Sequence, residues 1–184
     1  MKRAILLALT MTLLCAGCGS GRQTPQDFTR WQRQMAEASE IRFSAGITGE
    51  WDEGTMSFSA DVVRTEEGTA VTVTDPETIA GITFRSSPGG DTLEFDSVIL
   101  ELAPQAPAAL SPCAAGPILG EALTGGNLIW SGREGQWRTV SLAAPGGETV
   151  TVWYTEEFVP VRAEIARGEA TELVMTLENW EVKE

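Results

Sequence analysis

From Glu40 to the end of the chain, apolar and polar residues alternate one for one in one short segment after another. Ile41, Phe43, Ala45 and Ile47 interleave with Arg42, Ser44, Gly46 and Thr48. Met56, Phe58, Ala60 and Val62 interleave with Ser57, Ser59 and Asp61, and Leu173, Met175 and Leu177 with Glu172, Thr176 and Glu178. A period of two sends successive side chains to opposite faces of a strand, so these segments read as antiparallel strands with one apolar and one solvated face. Turn residues separate them: Asp52-Glu53-Gly54, Glu66-Glu67-Gly68, Pro88-Gly89-Gly90-Asp91, Gly132-Arg133-Glu134-Gly135, Pro145-Gly146-Gly147, Glu156-Glu157 and Arg167-Gly168-Glu169. About ten or eleven short strands at such spacing predict a mainly β chain built as one large curved sheet, a barrel or a sandwich.

Two segments break the period. Over Thr24–Ser39, Phe28, Trp31, Met35 and Ala38 recur at steps of three and four, which predicts an amphipathic helix. Thr24 followed by Pro25 suits its start, as a capping hydroxyl and a first helical residue. Ala103–Pro117 holds Pro104, Pro107, Pro112 and Pro117 among alanines and reads as an irregular crossing. A short helix, Pro117–Leu123, follows and ends at Gly125-Gly126; Ser111-Pro112 is the alternative, earlier start. An open curved sheet has to cover its apolar concave face, and these two helical segments are the covers available.

The N-terminus carries a different message. Met1-Lys2-Arg3 is basic, Ala4–Leu14 is apolar, and Leu13-Leu14-Cys15-Ala16-Gly17-Cys18 closes the run on small residues. That order is the order of an export signal. The apolar run falls short of the roughly 20 residues that span a bilayer. The stretch looks like a lipobox, with cleavage before Cys18 and a diacylglyceryl group on its thiol. Two acyl chains suffice for stable attachment. The expected layout is a signal peptide over residues 1–17, a lipidated tether over 18–26 and a single folded domain over 27–184. The expected location is the extracytoplasmic side of the cell membrane, with the membrane bound through diacylglyceryl-Cys18.

Charge and composition exclude several function classes. The chain's net charge of −13 becomes −15 once Lys2 and Arg3 leave with the signal. Such a surface disfavours nucleic acid, which is held through Lys and Arg, and disfavours lying flat on anionic lipid. With no histidine in the chain, Ser-His-Asp and Cys-His catalysis and imidazole metal sites are out. Cys113 is the one cysteine left after Cys15 departs and Cys18 is acylated, so no intramolecular disulfide forms; a buried, inert thiol is expected. The carboxylate doublets Asp52-Glu53, Glu66-Glu67 and Glu156-Glu157 fall in turns, where exposed acids are ordinary. Neither they nor Asp91 and Asp96 have a spacing that requires calcium. No catalytic residue, metal or cofactor is expected. Apolar binding is the better-supported chemistry: Phe43, Phe58, Phe84, Phe95, Trp130, Trp153 and Met175 lie on strands and are the candidates to line a concave cleft, or else simply to fill a core.

The layout of N-terminal helix, long antiparallel sheet and helical insertion resembles the LolA/LolB superfamily of lipoprotein-handling proteins. Two stretches are similar to tethered, GerS-like germination lipoproteins of spore-forming clostridia: Val71-Thr72-Val73-Thr74-Asp75-Pro76-Glu77-Thr78-Ile79-Ala80-Gly81-Ile82 and Phe158-Val159-Pro160-Val161-Arg162-Ala163-Glu164-Ile165. The resemblance implies a curved antiparallel half-barrel with helices over its concave face. It implies a non-enzymatic lipoprotein that binds a lipid or the acyl chains of a lipoprotein. The alternative is an adaptor that docks an envelope or spore protein through its acidic surface or a sheet edge.

Overall fold

A computed structural model describes residues 23–51, 54–102, 112–168 and 170–184. The elements in chain order are α1 (Gln23–Glu37), β1 (Glu40–Trp51), β2 (Gly54–Thr65), β3 (Gly68–Asp75), β4 (Thr83–Ser87), β5 (Gly90–Phe95) and β6 (Val98–Leu102). A 3-10 turn (Pro112–Ala114) then leads into α2 (Ala115–Gly125). The chain continues through β7 (Asn127–Glu134), β8 (Trp137–Ala143), β9 (Thr149–Tyr154), β10 (Pro160–Arg167) and β11 (Ala170–Lys183). Among the described residues all eleven strands join one open sheet, in the order β6-β5-β4-β3-β2-β1-β11-β10-β9-β8-β7. Every neighbouring pair is antiparallel. The expected mainly β architecture is therefore an open, curved sheet, neither a closed barrel nor a sandwich. β6 and β7 form its two edges, while the first and last strands meet in its middle.

The alternation read from sequence sorts correctly onto faces. Ile41, Phe43, Ala45 and Ile47 on β1, Phe58, Ala60 and Val62 on β2, and Leu173, Met175 and Leu177 on β11 are all buried on the inner face. Val140, Val150, Val152, Ala163 and Ile165 carry the same face across β8–β10. On the other face, hydroxyl pairs replace apolar contact: Thr48 with Ser57 at 2.9 Å and Ser141 with Thr151 at 3.0 Å. Near its end β11 departs from strict alternation. Between Arg42 and Ser44 the β1–β11 register slips, and Asn179 takes a positive φ of 53°. Asn tolerates that conformation better than most residues, and the inserted position reverses the parity of the residues after it. Trp180 is thereby turned inward, where it stacks on Phe43 with ring centroids 4.8 Å apart.

Both helices cover this face. Phe28 and Met35 bury the apolar stripe of α1, and Ala38 just beyond its end is buried with them. Ala115, Leu119, Ala122 and Leu123 bury α2, which packs on β2, β3, β8 and β10 as well as on α1. Gln32 joins the two helices by donating from Nε2 to the carbonyl of Gly126 at 2.9 Å. α2 lies very close to the sheet at Gly116, where a Cβ would come within 2.7 Å of the Val71 side chain. The helix starts earlier than the expected Pro117. Ala115 leads it, so Pro117 sits in the first turn, where a missing N–H removes no intrahelical bond. Gly126 closes the far end, its N–H donating to the carbonyl of Ala122 at 2.9 Å. In α1, likewise, Thr24 and Pro25 lie inside the helix rather than at its cap.

Candidate functional site

The seven aromatic and methionine candidates divide three ways. Phe43, Phe58, Phe84 and Met175 are buried members of the core. Phe95 lies on the inner face but is 49% exposed. Trp130 and Trp153 stand on the convex face and line no concave cleft, which corrects the expectation for both. For Trp153 the reason is parity, since Val152 and Tyr154 on either side of it are the buried residues. For Trp130 it is a bulge between Leu128 and Trp130, which leaves Trp130 opposite Ser141 rather than in line with the inward-facing Leu142. Cys18, the expected lipid attachment site, lies outside the described residues, as do Asp52 and Glu53.

The sheet runs beyond its helical cover at the β4–β6 end. Register sets Phe84 opposite Leu93, Leu93 opposite Leu100, and Phe95 opposite Val98. Directly opposed residues share a face, so these side chains and Leu102 continue the inner apolar face out to the edge. Phe84 is buried and Leu93 and Leu102 are half-buried, whereas Val98 is 57% and Leu100 54% exposed. The gradient runs from core to solvent along one continuous apolar surface. On the opposite face the arm is mostly polar, with Arg85 reaching Glu94 at 3.4 Å; Ile99 is the exception, 63% exposed. The far edge also carries exposed apolar side chains, Leu128 and Ile129 on β7. Of the arm's residues, the sequence reading named Phe84 and Phe95. It missed Leu93, Val98, Leu100 and Leu102, whose signal was the spacing Val98-x-Leu100-x-Leu102.

Several titratable groups elsewhere are engaged structurally. Glu156 accepts hydrogen bonds from Arg133 and Arg138, which hold its carboxyl below the usual range. Glu66 and Glu67 are exposed in their turn. Buried Glu148 meets Arg167 at 3.3 Å. Burial lowers the Arg64 guanidinium, which donates to Thr124 Oγ1 at 3.0 Å. Cys113 is half-buried against the core rather than fully enclosed. Among the described residues, no three His, Cys, Asp or Glu side chains come together to hold a metal ion. No helix there is long and apolar enough to cross a membrane. What this arrangement can do chemically is offer apolar area at one end of a strongly acidic molecule.

No protein-family model and no curated protein matches the chain. Solved structures are similar to it along most of its length. A LolA superfamily protein from Nitrosomonas europaea has 12% identity and a TM-score of 0.45, covering 86% of this chain and 93% of that one. The lipoprotein LppX from Mycobacterium tuberculosis has 16% identity and a TM-score of 0.40, covering 84% and 93%. A chain of the CwlD amidase–GerS lipoprotein complex from Clostridioides difficile has 10% identity and a TM-score of 0.42, covering 84% and 92%. The chain's own geometry is an open antiparallel sheet entered through one helix and covered by a second that is inserted between β6 and β7.

Proposed function

We propose that this chain is a non-enzymatic lipoprotein, anchored through diacylated Cys18 on the extracytoplasmic side of the cell membrane, that binds an acyl chain on the inner face of β4–β6. The observation that carries the reading is the continuous row Phe84–Leu93–Leu100, flanked by Phe95, Val98 and Leu102, left open at its outer end. A linear hydrocarbon laid along such a row gains about 0.8 kcal/mol for each methylene taken out of water. The outward-facing acids suit a soluble face turned to water, and the anchor would hold in place a domain that anionic headgroups repel.

The test uses a chain beginning at Gly19, which keeps every described residue. Native mass spectrometry with palmitate titration should show a saturable acyl adduct. Leu100→Glu should abolish it, and Ile99→Glu, one residue away on the opposite face, should leave it intact. An apo mass throughout, or equal effects of the two substitutions, would overturn the reading.

A second reading, an adaptor for an envelope or spore protein, is supported by β6 itself. It is an edge strand with apolar side chains exposed on both faces, the kind of edge to which another strand can be added. An apo mass with no acyl uptake would favour this reading.

A further inference from the structure

The convex face of β7–β10 holds a second constellation, on the side of the sheet away from the acyl-binding surface. Register places Gly132 opposite Thr139, Thr139 opposite Trp153, and Trp153 opposite Arg162. Trp137 lies opposite Glu134 on the same face. Trp130 reaches this face through the β7 bulge and lies over Gly132, where any Cβ would overlap the benzene half of the indole. Glycine is therefore what lets the ring settle against the strand. Seated this way, Trp130 is still 46% exposed, so an indole face is offered to solvent.

The surroundings are polar and already oriented. Trp153 donates from Nε1 to Glu134 Oε2 at 2.9 Å, and the Arg162 guanidinium stands over the Trp153 ring, 5.3 Å from its centroid. Arg162 also donates to Glu164 Oε1 at 2.5 Å. Thr139 is fully buried between Gly132 and Trp153, and its Oγ1 has no hydrogen-bond partner. A buried hydroxyl is seldom left in that state. The three tryptophans thus come with carboxylate acceptors and one unpaired hydroxyl.

This combination selects a ligand chemistry. An anion would meet Glu134 and Glu164. A cation would meet the Arg162 guanidinium, which stands over Trp153 and already pairs with Glu164. A purely apolar chain would leave the polar frame unanswered. A neutral saccharide suits the exposed part of it: the C–H face of a pyranose stacks on an indole, whose π face is negative, while its hydroxyls donate to the acceptor sites that Trp153 and Arg162 leave on the two carboxylates. We propose that Trp130, seated on Gly132, is the stacking platform of a convex-face site for a neutral saccharide, with Glu134 and Glu164 as hydroxyl acceptors.

Calorimetric titration of the chain from Gly19 with cellotetraose and chitotetraose tests this. At least one oligosaccharide should bind saturably at millimolar or lower concentration. Trp130→Ala should weaken it about tenfold, the loss of one stacked ring, and Trp130→Phe should restore most of it. Gly132→Ala keeps the indole but unseats it, and should weaken binding as Trp130→Ala does. Leu100→Glu, on the other face, should leave saccharide binding unchanged. Absence of saturable binding to both probes overturns the proposal, as does unaltered affinity in Trp130→Ala. So does quenching of Trp130 by brominated phosphatidylcholine vesicles with no saccharide binding, which would assign the patch to a lipid interface.

Discussion

Trp31 on α1 meets Tyr154 on β9 edge to face, with ring centroids 5.2 Å apart and planes at 77°. Phe28 reaches the same ring at 6.1 Å and Phe158 at 5.8 Å. Arg138 closes the cluster by lying over Phe158, 4.6 Å from its centroid, while bonding Glu156 at 3.1 Å and approaching Asp27 at 3.8 Å. This aromatic joint fastens α1 to the sheet.

Tyr154 is wholly buried in the joint, and its hydroxyl has no hydrogen-bond partner. Burial alone pushes its phenol well above the ordinary value of 10.0. An unpaired buried hydroxyl costs about 1–3 kcal/mol, so Tyr154→Phe should keep the ring contacts and raise unfolding free energy by about 1 kcal/mol. Urea denaturation reads the difference. A loss of stability would mean that the hydroxyl has a partner in solution.

Gly116 is the point where α2 presses against β2 and β3, with Val71 and Val62 in the space a Cβ would need. Gly116→Ala should therefore destabilise by about 1–3 kcal/mol through overpacking, despite alanine's better helix propensity. Gly125→Ala, near the helix end with open space around it, serves as the comparison. Equal midpoints for the two variants would show that α2 is not held at that distance.

At the start of β1, Glu40 bonds Arg42 at 2.6 and 2.7 Å and meets Lys183 of β11 at 2.5 Å. Arg42 and then Lys183 draw its carboxyl down from 4.5 to about 2. A carboxyl lowered on folding stabilises fully above its ordinary value, and that contribution is lost as pH falls through the lowered one. Stability should thus fall between pH 4.5 and about 2, and Glu40→Gln should flatten that part of the profile. Glu156, lowered by Arg133 and Arg138, should leave a residual slope in the variant. Acid unfolding followed by tryptophan fluorescence gives both curves. Coincident profiles would show that the cluster is fully screened.

Cys18→Ala should release the chain from the membrane fraction, since no helix among the described residues is long and apolar enough to cross a membrane. Fractionation followed by immunoblotting measures this directly. A variant that stays membrane-bound and is processed as before would refute the lipobox reading.

The strands were legible because a half-buried sheet writes its two faces into alternate residues; Ile41 to Ile47 and Leu173 to Leu177 fell on the buried face as read. The faces of Trp130 and Trp180 were not legible, because each comes after a bulge that reverses parity without any glycine or proline before it in the strand to announce it. Trp153 could have been placed, since its neighbours Val152 and Tyr154 already claimed the inner face. The exposed β4–β6 surface was only half visible. Phe84 and Phe95 drew notice as aromatics, but whether a residue is covered depends on where α2 lands. That is set by Gly116 against Val71, a contact between distant parts of the chain.

The pairing of β1 with β11 has a topological consequence. Glu40 lies opposite Lys183, so the sheet's central seam is made from the first and last strands. Strands β1–β6 form one consecutive meander and β7–β11 another, and among the described residues the seam is where their ladders join. A cut near the C-terminus would not trim a margin. Losing β11 would divide the sheet into two separate ribbons, and β11 must be in place before the two can become one.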